Sequence, residues 1–89
     1  MKLSEIFIEV RKRVEKTGHG LHLNYFTCNA LLWMVNDGLI TEEERAAAFD
    51  RFSRWCPYPL QPDRSWFPNK AARLDAINQT IEELLLEGK

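Results

Sequence analysis

Apolar residues recur at spacings of three and four in four separate stretches of this chain. In the first stretch, Leu3, Ile6, Phe7, Val10 and Val14 share one face, while Glu9, Lys12, Arg13 and Lys16 lie off it. That pattern predicts an amphipathic helix near residues 4–17, stopped by Gly18. The second stretch, Phe26 to Val35, is apolar at nearly every position, where an ordinary surface helix keeps one apolar stripe. A helix over 25–37 follows, with Asn24 or Thr27 as cap and Asp37-Gly38 as its end, Gly38 suiting the left-handed closing residue. Its all-round apolarity predicts a core helix surrounded by the others.

The third stretch opens with Thr41-Glu42-Glu43-Glu44, which has the form of a capping box: a hydroxyl at the N-cap and a carboxylate three residues on. The three glutamates also suit the positive end of the helix dipole, and Ala46-Ala47-Ala48 favours helix. The helix is predicted over 42–56, with Phe49, Phe52 and Cys56 on one face. Only a short corner separates it from the core helix, so the two are expected to be close neighbours. The fourth stretch predicts a helix over 70–86. Its strip is Leu74, Ile77, Ile81 and Leu84, with Arg73 among the residues off the strip, and it is expected to pack on the core helix. Under two heptads of this pattern are too few for a zipper.

The expected fold is therefore all-α, a compact single-domain bundle of about four helices spanning 1–89. One segment breaks the pattern. All four prolines fall between residues 57 and 68, removing backbone donors and disfavouring helix. Tyr58, Leu60, Trp66 and Phe67 share that loop, which precedes the last helix.

Net charge is −1, so no whole-molecule field draws in nucleic acid or an anionic membrane. Residues 1–30 are the exception, with five Lys/Arg against three acids. The opening MKLSEIFIEV is not a signal peptide, and no segment is long enough to span a bilayer. Two cysteines without a secretion signal fit a reducing compartment, so the expected location is cytoplasmic.

Four pieces of the chain resemble a loose group of small bacteriophage and prophage proteins of unassigned function. They are Phe26-Thr27-Cys28-Asn29-Ala30-Leu31, Gly38-Leu39-Ile40-Thr41-Glu42-Glu43-Glu44, Trp66-Phe67-Pro68, and Arg73-Leu74 with Ile77. The resemblance covers roughly residues 25–81. It implies a phage accessory protein that binds and modifies a host machine, and it carries over no catalytic or binding residue.

The chemistry-bearing residues narrow the function. His19, His22, Cys28 and Cys56 are zinc-binding types, but no Cys-x-x-Cys pair exists and the cysteines fall on apolar faces. No metal or cofactor is expected. Cys28 in an apolar helix is a poor nucleophile, no glycine-rich phosphate loop is present, and capping accounts for the glutamates. The protein is expected not to be an enzyme.

The aromatic and proline-rich loop is the leading candidate for function. Tyr58, Arg64, Trp66 and Phe67 are residue types enriched at binding hot spots, so they are the expected contacts to a host or phage protein. The competing reading is that these rings fold back over the core. The alternative function is nucleic-acid binding through Arg11, Lys12, Arg13 and Lys16, which Glu9 and Glu15 dilute. A helix-turn-helix reading fails because its second helix would turn three glutamates toward phosphates. Self-association through the apolar strip of the last helix, giving a homodimer, is the third reading.

Overall fold

In a computed structural model, which describes residues 1–16, 26–54 and 70–89 (residues 26–29 and 70 in backbone only), the chain forms four helices. They are α1 (Leu3–Lys16), α2 (Phe26–Asn36), α3 (Glu42–Ser53) and α4 (Lys70–Leu86). No strand occurs among the described residues, and the architecture is all-α as the periodicity predicts.

The apolar stripe of α1 is buried as expected. Ile6, Phe7, Val10 and Val14 are fully enclosed, and Leu3 packs at the margin of the core. This helix touches all three others, α4 most extensively, whereas α2 and α4 make only marginal contact. Two expectations are thereby corrected. The hub of the bundle is α1 rather than α2, and α4 packs on α1 rather than on α2.

The reason lies in how many neighbours each helix has. Helix α2 meets α1 and α3 and buries Ala30, Leu31 and Met34 on one side, while Leu32 and Trp33 on the other remain about half exposed. Apolarity all round a helix makes every face able to be buried. It does not supply a neighbour for each.

Helix α4 shows a second correction. Its buried stripe is Arg73, Ala76, Ile77, Thr80, Ile81 and Leu84, so Arg73 lies inside the fold and Leu74 packs at the core's edge. The spacing of this stripe is as helical as the one read from the leucines and isoleucines. Thr80 satisfies its buried hydroxyl within its own helix, donating to the Ala76 carbonyl at 2.8 Å.

The helix ends explain the corners. Gly38 adopts φ +78°, Leu39 N–H bonds the Met34 carbonyl at 2.9 Å, and Gly38 N–H bonds that of Val35 at 3.0 Å. This is the Schellman closure, and it turns the chain directly into α3. The same closure ends α4. Gly88 has φ +76°, Lys89 N–H reaches the Leu84 carbonyl at 2.8 Å, and Gly88 N–H that of Leu85 at 3.1 Å.

Helix α3 starts with the predicted capping box. Thr41 Oγ1 accepts from Glu44 N–H at 3.1 Å, and Glu44 Oε1 accepts from Thr41 N–H at 2.8 Å. It ends at Ser53 with Arg54 as C-cap, short of the predicted residue 56. Arg54 N–H bonds back to the Arg51 carbonyl at 3.3 Å, tightening the last turn, while Ser53 Oγ donates to the Asp50 carbonyl at 2.7 Å.

Urea unfolding measures these contributions. Phe52→Ala, which removes a buried ring whose centroid lies 6.1 Å from that of Phe7, is expected to lose about 3–5 kcal/mol. Thr41→Ala is expected to lose about 1 kcal/mol. Gly38→Ala should lose about 1–2 kcal/mol through backbone strain alone, because an added Cβ meets no atom within 4 Å there.

Candidate interaction surface

Helical geometry sorts the exposed residues of α2 into a strip. Leu32 and Asn36 are four residues apart, as are Trp33 and Asp37, so the two pairs run side by side along the outer face. Leu32 is 46% exposed and Trp33 45%, and the closure at Gly38 then presents Leu39, 47% exposed, just beyond the end of the helix. These three are the large apolar side chains that the described part of α2 and its closing turn leave about half exposed.

One edge of the strip is set by α1. Arg13 Nη2 lies 3.6 Å from Asp37 Oδ2, which brings the last turns of α1 alongside the C-terminal end of α2. Arg13 Nε also donates to Glu9 Oε1 at 3.1 Å. On the other flank of α1, Arg11 Nη1 donates to Asn78 Oδ1 of α4 at 3.0 Å. Of the four basic residues singled out by sequence, Arg11 and Arg13 thus tie α1 to its neighbours, and Lys12 and Lys16 stand exposed.

The other candidates fall as follows. Tyr58, Arg64, Trp66 and Phe67 lie outside the described residues, as do His19, His22 and Cys56. Cys28 belongs to α2 by backbone. Among the described residues, no group of three or more His, Cys, Asp and Glu side chains is placed to hold a metal ion. No described helix is long and apolar enough to cross a membrane.

Two of the three glutamates at the start of α3, Glu42 and Glu44, are engaged structurally. Glu42 accepts from Arg45 Nε at 2.8 Å, and that bond holds its carboxyl below the usual range. Glu44 is lowered too, first by the Thr41 backbone N–H and then by the Met1 ammonium, 2.9 Å from its Oε2. The same contact raises the Met1 amine. Glu43 remains exposed at the helix start.

A charged contact that the sequence did not reveal closes the opposite end of the molecule. Arg51 of α3 is nearly buried and grips Glu87 with both arms of its guanidinium, Nη1 to Oε1 at 2.8 Å and Nη2 to Oε2 at 2.5 Å. Such a fork-on-carboxylate pair fixes geometry as well as charge. It raises Arg51 further and pulls Glu87 down to about 2, with Lys89 adding a smaller share. The signal in sequence was position: Arg51 follows Ala48 by three residues and precedes Phe52, on the buried side of α3. Charged residues at stripe positions are easily assigned to the surface.

No match to the chain was found among protein-family models, curated proteins or solved structures.

The Arg51–Glu87 pair predicts a specific pH dependence. Because Glu87 sits below its ordinary 4.5, at about 2, its ionised form stabilises the fold above pH 4.5 and loses that effect as pH falls through 2. The difference in urea midpoint between the wild type and Glu87→Gln should be constant near neutrality, shrink below pH 4.5 and vanish only once the pH is below about 2. A difference independent of pH would contradict it.

Proposed function

We propose that this chain is a small non-enzymatic protein-binding module, an adaptor or inhibitor acting on a host or phage protein in the bacterial cytoplasm. The observation that carries the reading is the outer strip of α2, where Leu32 and Trp33 stand half exposed with Leu39 beyond them. Tryptophan is the residue type most enriched at binding hot spots, and the neighbouring Asn36 and Asp37 give the strip a polar border. Three side chains make an anchor rather than a whole interface. Tyr58, Arg64, Trp66 and Phe67 are the proposed remainder of the contact, on residue type. The phage setting comes from the resemblance of residues 25–81 and is proposed with it.

Two other readings keep a supporting observation each. Lys12 and Lys16, exposed and four residues apart on α1, suit a phosphate backbone. The apolar strip of α4 expected to self-associate is taken up by the core at Ile77, Ile81 and Leu84 with Leu74 packed at its edge, which leaves Leu85 and Leu86 in the last turn, Leu86 89% exposed, to meet a second copy of the chain. Protein binding is preferred to both, since Arg11 and Arg13 are engaged within the bundle and the last-turn leucines offer a short surface.

An affinity pull-down from nuclease-treated bacterial lysate tests the proposal. The captured protein would then be purified and titrated against wild type, Trp33→Ala, Leu32→Lys and Trp66→Ala, with melting curves for each. Loss of an anchor should weaken binding by about 2 kcal/mol or more, roughly 30-fold, in a variant that melts like the wild type. Equal affinity in all folded variants, or no specific capture, would overturn it. Capture of nucleic acid instead, weakening steeply with salt, would move the function to Lys12 and Lys16.

A further inference from the structure

We draw no further inference here: the strongest candidate, the half-exposed apolar strip of α2 at Leu32 and Trp33 with Leu39 beyond its end, belongs to the site already described, and nothing in the structure shows what covers it.

Discussion

Burial of one face of α1 is the constraint on which the rest of this bundle depends. Ile6, Phe7, Val10 and Val14 are each removed fully from water, and α1 makes the most extensive contacts of the four described helices, above all with α4. Burial of each such side chain is worth about 1.5–3 kcal/mol, a large share of the margin by which small domains stay folded. Polar contacts then fix how the helices sit around it. Arg11 reaches Asn78 on α4, Arg13 reaches Asp37 at the end of α2, and the start of α1 is held by the other end of the chain. There Ser4 N–H, one of the donors that a helix start leaves unpaired, bonds the Lys89 carbonyl at 3.3 Å.

That last contact follows from the closure of α4. The left-handed Gly88 folds the chain back so that Lys89 meets the start of α1, while Glu87, just before it at the end of α4, meets Arg51 of α3. Three helices are thus joined through three consecutive residues. The ion pair is oriented rather than incidental, since both guanidinium arms and both carboxylate oxygens are used.

Local signals proved the most legible. Thr41 with Glu44 marked the start of α3, and Gly38 the end of α2, because caps and closures are decided by neighbours in sequence. The stripe of α1 was equally plain, since its polar and apolar positions separate cleanly. The rank of the helices was not legible. Hydropathy made α2 the obvious hub, yet Leu32 and Trp33 on one side of it stay half exposed, and how far a face is covered is a property of the whole assembly. Arg51 and Arg73 were hidden for a related reason: each occupies a buried helical position with a side chain that composition assigns to water. The candidate site was half legible. The residue types of the 58–67 loop could be named, whereas the exposure of Leu32 and Trp33 required the packing. The polar engagement of Arg11 and Arg13 also came from the fold, and it reduces the basic flank of α1 to two exposed lysines.

Native-state hydrogen exchange, resolved by residue, would test most directly the claim that α1 is the hub. The amides from Ile6 to Val14 should exchange only through global unfolding, and those of α2 should open at lower free energy because Leu32 and Trp33 leave one side of that helix half exposed. Slowest exchange in α2, with α1 opening locally at lower free energy, would contradict the account and restore α2 as the centre of the fold.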